Sequence, residues 1–327
     1  MKATMKDVAK LANVGVGTVS RVINGVKVKK ITKEKVLAAI EELGYEPDEY
    51  ARGLKTNKSN TIALILPTIW HPFFSEFAYF VEEALSNLNY KLFLCNADGS
   101  YEKEKEYIQM LKQSKVDGII GITYSDIDKY ISSNLPFVSI DRHFSEKVAY
   151  VTADNFVGGQ LAAQELITRG AKNLAFIGGN SPYPNETKNR KEGFESFCAS
   201  QNMNVKILNM LEPIQDLETH LRTFFVENPN IDGIFAINDF MALEVIKVLE
   251  KLKRIAPQDY QIIGFDGIRI AQKKDFLLST IAQPIPDMAH KSVELLVKMI
   301  EEKVLPERVV LPVKFVQGNT TGKKIKK

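Results

Sequence analysis
Met5-Lys6-Asp7-Val8-Ala9-Lys10-Leu11-Ala12-Asn13-Val14-Gly15-Val16-Gly17-Thr18-Val19-Ser20-Arg21-Val22-Ile23-Asn24-Gly25 sets the N-terminal fold. Thr4 stands three residues before Asp7, a pairing that satisfies the free N–H groups of a helix start, and Val8, Ala9, Leu11 and Ala12 supply an apolar face. Asn13-Val14-Gly15 breaks this helix, since Asn and Gly tolerate the positive φ of a tight turn. A second helix is expected from Val16 to Asn24, with Val19, Val22 and Ile23 on one face, stopped by Gly25. Thr32 is expected to cap a third, whose inner face is Val36, Ala39, Ile40 and Leu43 and whose end is Gly44. Three short amphipathic helices with a three-residue turn between the first two predict an all-α helix-turn-helix module.

In such a module the second helix enters the major groove by its N-terminal end. Its outward residues are Val16, Gly17, Thr18, Ser20 and Arg21. Arg21 suits a guanine edge, Val16 a thymine methyl, and Thr18 and Ser20 suit phosphates. Thr4 and Asn24, at the ends of the first two helices, complete the DNA-facing set. The helical pattern alone also allows a three-helix protein-interaction bundle.

The 327 residues, 45% apolar and 25% charged, predict a globular protein of two or three domains. Apolar runs such as Ile62-Ala63-Leu64-Ile65-Leu66 fall far short of a membrane span. Met1 to Asp7 lacks the apolar core of an export signal. Cys95 and Cys198 are too few for a disulfide scaffold, so the expectation is a cytoplasmic protein. The net charge of +3 divides unevenly: residues 1–60 carry +5, residues 61–322 carry −6, and Lys323-Lys324-Ile325-Lys326-Lys327 adds four positive charges. A basic module on an acidic body suits a polyanionic partner, although solvated charges without a partner fit the totals equally.

Met5 to Ala12, followed by Thr18-Val19-Ser20-Arg21-Val22-Ile23-Asn24-Gly25, Thr32-Lys33-Glu34-Lys35-Val36 and Leu43-Gly44-Tyr45-Glu46-Pro47, resembles the lactose-repressor (LacI) family of transcription regulators. It departs at Asn13, where the family usually has Gly, and at Gly15, where it usually has Ser. Residues 48–58 are too short and polar to hold a helix alone and read as a linker. The resemblance implies instead a hinge helix that folds on the operator: Ala51-Arg52-Gly53-Leu54 matches the family's Ala-Arg-x-Leu. Leu54 would be its minor-groove wedge, with Arg52 and Lys55 facing the groove. The expected division is residues 1–46 for the DNA-binding domain, 47–60 for the hinge and 61–327 for the effector-binding and dimerisation domain.

Beyond residue 60 short apolar runs alternate with amphipathic stretches. Expected strands are Thr61–Leu66, Lys91–Cys95, Gly118–Ile122, Phe137–Ile140, Leu174–Ile177, Gly233–Ile237 and Gln261–Phe265. Expected helices are Ser75–Leu88, Glu102–Ser114, Gly158–Arg169, Arg190–Ser200, Phe240–Lys253 and Asp287–Glu302. The alternation predicts parallel sheets covered on both faces, in two α/β lobes like those of a hinged, periplasmic-binding-protein-like sugar binder. Ligands of such sheets lie beyond the strand C-termini. There stand His71-Pro72-Phe73-Phe74, Asp98, Thr123-Tyr124, Asp141-Arg142, Asp154-Asn155, Asn238-Asp239, Asp266 and Gln283. Carboxylates accept from vicinal hydroxyls, Arg donates to sugar oxygens, and aromatic rings cover an apolar sugar face. Asn155 and Asp239 also read as helix caps.

The resemblance continues through Val151-Thr152-Ala153-Asp154-Asn155-Phe156-Val157-Gly158-Gly159, Arg190-Lys191-Glu192-Gly193-Phe194, Asn238-Asp239-Phe240-Met241-Ala242-Leu243 and Ile262-Ile263-Gly264-Phe265-Asp266. It implies that Asp141, Arg190, Asn238, Asp266 and Gln283 occupy effector positions, with Phe73, Asp98 and Tyr124 as looser assignments. Gln317-Gly318-Asn319-Thr320-Thr321-Gly322 departs from the family's R-x-S-T/T-T-G.

The expected function is thus a homodimeric repressor of a carbohydrate-utilisation operon, reading a pseudo-palindromic operator and controlled by a small sugar or sugar phosphate between the lobes. Sucrose- or fructose-type effectors are favoured; inducer and corepressor roles both fit. An alternative is a global catabolite regulator whose phosphoprotein corepressor docks near Lys298, Lys303 and Arg308. An extracytoplasmic receptor is contradicted by the basic module. No nucleophile–base pair or phosphate-binding loop supports an enzyme, no cofactor or membrane partner is expected, and His71, His143, His220 and His290 lack metal-ligand spacing. Trp70, the single Trp, reads as packing or as an intersubunit contact.

Overall fold
The computed structural model describes residues 3–46, 58–114, 116–131, 135–142, 144, 148–183, 185–271, 274–302 and 305–323. The chain forms two compact units, Met1–Ser59 and Asn60–Lys327.

The first unit has three helices, α1 (Met5–Leu11), α2 (Val16–Ile23) and α3 (Lys30–Leu43). The capping box at the start of α1 forms as expected, with the Thr4 N–H donating to the Asp7 carboxylate at 2.9 Å and the Asp7 N–H to the Thr4 hydroxyl at 3.4 Å. Asn13 takes the left-handed conformation at φ 51°, and the Val14 N–H returns to the Ala9 carbonyl at 3.0 Å, closing α1. Val8, Ala9, Ala12, Val19, Val22, Val36 and Ala39 form the core. Thr32 is not a cap. The helix starts a turn earlier, from Lys29, whose carbonyl accepts from the Thr32 and Lys33 N–H groups, because no Pro or Gly interrupts Lys29-Lys30-Ile31.

The second unit holds two six-stranded sheets. The first runs β11-β5-β4-β3-β1-β2, all parallel: β1 (Thr61–Leu66), β2 (Lys91–Asn96), β3 (Gly118–Gly121), β4 (Phe137–Ile140), β5 (Ala149–Ala153) and β11 (Arg308–Leu311). The second runs β12-β10-β9-β8-β6-β7: β6 (Leu174–Asn180), β7 (Val205–Leu211), β8 (Gly233–Ala236), β9 (Gln261–Asp266), β10 (Thr280–Ala282) and the antiparallel edge β12 (Lys314–Val316). β1 shows why its run is apolar throughout. Ile62, Leu64 and Leu66 point into the cluster beneath α4 (Pro72–Asn87) and α10 (Ile285–Glu301). Ala63 and Ile65 point to the other face, with Ile108 and Leu111 of α5 (Tyr101–Gln113). The second lobe is covered by α6 (Asn155–Thr168), α7 (Lys188–Ser200), α8 (Leu217–Glu227) and α9 (Asp239–Lys251).

The chain passes between lobes three times: after β5 into α6, after β10 into α10, and from β11 to β12. Cys95 and Cys198 are buried free thiols, both pushed up to about 12 by burial. No helix among the described residues is long and apolar enough to cross a membrane.

Candidate functional site
In the first unit, α2 presents Val16, Gly17 and Arg21 to solvent, Val16 with 42% of its surface exposed. A Cβ added at Gly17 would meet nothing within 4 Å, so the space beside that backbone is open. Thr18 and Ser20 are half-buried. Two of the expected DNA-facing side chains are engaged locally. The Thr4 hydroxyl belongs to the capping box, and the Asn24 amide donates to the Ser20 carbonyl at 2.7 Å, closing the last turn of α2. Arg52, Leu54 and Lys55 lie outside the described residues.

In the second unit the strand ends build a buried polar cluster. Asp141 follows β4 and Asp266 ends β9, both in positive-φ backbone at 54° and 108°. Such strained conformations persist where the surroundings over-determine them, and they gather at ligand sites. The guanidinium of Arg190 joins the cluster: Nε donates to Asn155 Oδ1 at 2.7 Å, Nη1 to the Ile237 carbonyl at 2.8 Å and to Asp266 Oδ1 at 3.3 Å, while its plane lies 3.7 Å from the Phe265 ring centroid. Gln283 Nε2 donates to the same Asp266 oxygen at 2.8 Å. Across the cleft, Thr152 donates to Asp141 at 2.6 Å and Asn155 Nδ2 donates to Thr152 at 3.1 Å. Arg190, Asp141, Asp266, Asn155 and Gln283 are all buried.

Burial sets the electrostatics. It pushes Asp141 up to about 6, against the pull of Arg190 and the Thr152 hydrogen bond, and raises Asp266 against the pull of Arg190 and Gln283. Tyr124 is raised first by burial and then by the negative charge of Asp141, Asp266 and Glu212, against the pull of Arg190. His71, whose Nδ1 accepts from the Phe73 N–H at 3.2 Å to cap α4, is held down at about 4 by burial and Arg190 and is therefore neutral. Contacts between the lobes include the His71 and Phe240 rings, edge-on at 4.5 Å, the Glu186 N–H donating to the Asp141 carbonyl at 3.0 Å, and the Arg142 guanidinium 5.8 Å from the Tyr183 ring centroid.

Of the effector positions named from the sequence, Asp141, Arg190, Asp266, Gln283 and Tyr124 come together. Asn238, next to Ile237 whose carbonyl holds Arg190, is half-buried, and its Oδ1 caps α9 through the Met241 N–H at 2.8 Å. Phe73 packs into the first lobe's core against Phe74 and Phe77. Asp98 sits exposed in a turn, 3.3 Å from the Lys103 ammonium. Neither cap reading holds. Asp154, not Asn155, caps α6, because its shorter reach back to the Val157 N–H frees Asn155 for Arg190. Asn238, not Asp239, caps α9, and Asp239 instead accepts from the Gly267 and Ile268 N–H groups at 2.9 and 2.7 Å. Sequence reasoning passed over Thr152, Glu186, Phe240 and the fixed tautomer of His71; the contacts of Glu186 and Phe240 cross from one lobe to the other, and that of Thr152 crosses from β5 to the end of β4.

Gln317, where the family pattern carries Arg, accepts from Arg169 at 3.4 Å; the same arginine donates to the Gly322 carbonyl and covers Phe315. Of the basic residues considered for a phosphoprotein, Lys298 pairs with Glu294 at 2.7 Å and Arg308 lies over Tyr150, while Lys303 lies outside the described residues. Trp70 is 89% exposed, which rules out its reading as core packing.

A helix-turn-helix head and a two-lobed body with buried carboxyl, amide and guanidinium groups between its lobes define a ligand-responsive DNA-binding regulator. Residues 4–48 match the bacterial regulatory proteins of the lacI family, and residues 59–319 match the periplasmic binding proteins and sugar binding domain of the LacI family. The chain belongs to the LacI family. It is 38% identical to the ribose operon repressor of Halalkalibacterium halodurans, over 97% of each chain. It is 36% identical to the sucrose operon repressor of Pediococcus pentosaceus, over 98% of this chain and all of that one. Among solved structures, a periplasmic binding protein/LacI transcriptional regulator from Alkaliphilus metalliredigens complexed with D-xylulofuranose superimposes with a TM-score of 0.73 at 32% identity, covering 81% of this chain and all of that one.

Proposed function
We propose that this protein is a cytoplasmic, non-enzymatic, homodimeric repressor of a carbohydrate-utilisation operon, whose operator affinity is set by a sugar bound between the lobes. The observation that carries this reading is the Arg190–Asp266–Gln283 cluster facing Asp141 and Thr152, a set of charged and amide groups suited to vicinal hydroxyls. In this reading Asp141, Arg190, Asn238, Asp266, Gln283 and Tyr124 hold the sugar, and Val16, Gly17, Thr18, Ser20 and Arg21 meet the operator. Residues 1–46 are the DNA-binding domain, 47–60 the hinge and 61–327 the effector and dimerisation domain. Arg52, Leu54 and Lys55 act in the hinge, which couples lobe closure to the DNA. A sugar shifts operator affinity only by its differential binding to the two closure states.

The test is isothermal titration against a panel of sugars, then operator footprinting with and without the sugar that binds. Arg190→Ala is expected to abolish the sugar response while leaving operator binding intact; a retained response removes Arg190 from the site.

A further inference from the structure
Resting on the sugar-effector reading above, we infer that Asp239 is a positioning residue of the site: its carboxyl holds the turn that aims Asp266 at the ligand. Asp266 is the last residue of β9, and its carbonyl still belongs to the sheet, accepting from the Gln283 N–H at 3.2 Å. The chain then turns through two consecutive positive-φ residues, Asp266 at 108° and Gly267 at 81°. A non-glycine residue in such backbone is strained, and it relaxes unless its surroundings fix it.

The fixing group comes from the first turn of α9. Oδ2 of Asp239 accepts from the Gly267 N–H at 2.9 Å and from the Ile268 N–H at 2.7 Å. The Gly267 N–H also reaches the Thr280 hydroxyl oxygen, at 3.2 Å. The carboxyl itself has little freedom. Asp239 is buried, and a Cβ added at Gly264 would stand 2.2 Å from its Oδ1, so the bare backbone of β9 presses against it. With the turn held, Asp266 Oδ1 sits where Arg190 and Gln283 both donate to it, at 3.3 and 2.8 Å.

Removing the carboxyl leaves the buried Ile268 N–H without this acceptor and the Gly267 N–H with Thr280 alone. The backbone then relaxes toward ordinary φ and carries the Asp266 side chain away from Arg190. A carboxamide can hold the turn equally well. Burial, and then the nearby Asp266, raise the Asp239 carboxyl well above its usual range and favour the protonated form, whose shape and single acceptor carbonyl a carboxamide copies.

Asp232 makes the same clamp for a purely structural purpose. Its Oδ1 accepts from the Lys172 and Asn173 N–H groups at 2.9 and 2.7 Å, just ahead of β6 and β8, at the strand ends opposite the cluster.

The full chain is titrated calorimetrically with D-ribose, D-xylulose, D-fructose and sucrose. The sugar that binds is then titrated into Asp239→Ala, Asp239→Asn and Asp232→Ala, with operator binding measured on each preparation. Asp239→Ala is expected to bind sugar at least about 10-fold more weakly with operator binding retained. Asp239→Asn and Asp232→Ala are expected to stay within about threefold of the parent, Asp232→Ala despite a lower melting temperature. If Asp239→Ala does not fold, Gly264→Ala, whose methyl displaces the carboxyl from the turn, is expected to show the same loss. Parental affinity in Asp239→Ala, or in Gly264→Ala in its place, overturns the inference and leaves the sugar-effector reading standing. So does a loss in Asp239→Asn or Asp232→Ala as large as in Asp239→Ala. If the parent binds none of the four sugars while operator binding is intact, the sugar-effector reading fails and the inference falls with it.

Discussion
Gly159→Ala tests whether the packing of two helices positions Arg190. A Cβ at residue 159 would stand 2.0 Å from the Arg190 carbonyl oxygen and 2.7 Å from the Phe194 nitrogen, both backbone atoms of α7. The contact is reciprocal: a Cβ at Gly193 would stand 2.0 Å from the Phe156 carbonyl oxygen of α6. A carbon–oxygen contact needs roughly 3.3 Å, so the added methyl must drive the helices about 1.3 Å apart, and rigid backbone on both sides offers no side chain to yield. Overpacking of this kind costs about 1–3 kcal/mol, and the upper end is expected here. For a unit of this size that corresponds to a melting temperature lower by roughly 6–12 °C. The same displacement stretches the Arg190 Nε–Asn155 Oδ1 hydrogen bond, now 2.7 Å, beyond bonding range. Losing a buried charge-assisted hydrogen bond is worth about 1.5–3 kcal/mol, so sugar affinity should fall roughly 10- to 100-fold. Differential scanning calorimetry and sugar titration on the same preparation read both effects. A variant that melts within a degree of the parent and binds sugar equally well refutes the proposed coupling of helix packing to the site.

Gly17→Ala, on the exposed face of α2 with open space around it, should stabilise the helical head by up to about 1 kcal/mol through helix propensity, read as slower amide exchange, and should also change base preference in operator selection. Sugar affinity should fall as pH is lowered through about 6, because Asp141 must be ionised to accept from two hydroxyls. At pH 5 roughly one molecule in eleven keeps that charge, so binding should be up to about tenfold weaker than at pH 7.5, and Asp141→Asn should flatten the profile. The raised Asp266 titrates in the same sense, and His71, at about 4, stays neutral throughout. For the unliganded fold the sign reverses. The raised carboxyl of Asp141 contributes stability that is complete below its ordinary value near 3.8 and is lost as pH rises through about 6, visible as a lower melting temperature near neutrality.

Much of this architecture was legible in the residues. The capping box at Thr4 and Asp7, the left-handed Asn13 and the terminating Gly25 and Gly44 are local chemistry, and local chemistry survives folding. The apolar runs of β1, β3, β4, β8 and β9 were readable because both faces of a central parallel strand are buried. The strands not foreseen were β5, β7, β11 and β12, while β10 was marked only by Gln283 at its end. β7 is a half-exposed edge, and β12 has three residues, too few to show a period. α8 was missed because Asp216, at φ 48°, makes no side-chain cap. Asp141, Arg190, Asp266 and Gln283 were found by their positions at strand ends and within motifs. Asn155 and Asp239 were misread as caps because a polar pair at a helix start does not reveal which member turns back to the helix and which reaches across the fold.

β11 closes one edge of the first sheet and β12 closes one edge of the second, although only Pro312 and Val313 separate them. A stop codon anywhere before residue 308 therefore strips a border strand from both halves of the body at once. Neither half is a continuous piece of the gene, so neither can be excised, exchanged or inherited by a single cut.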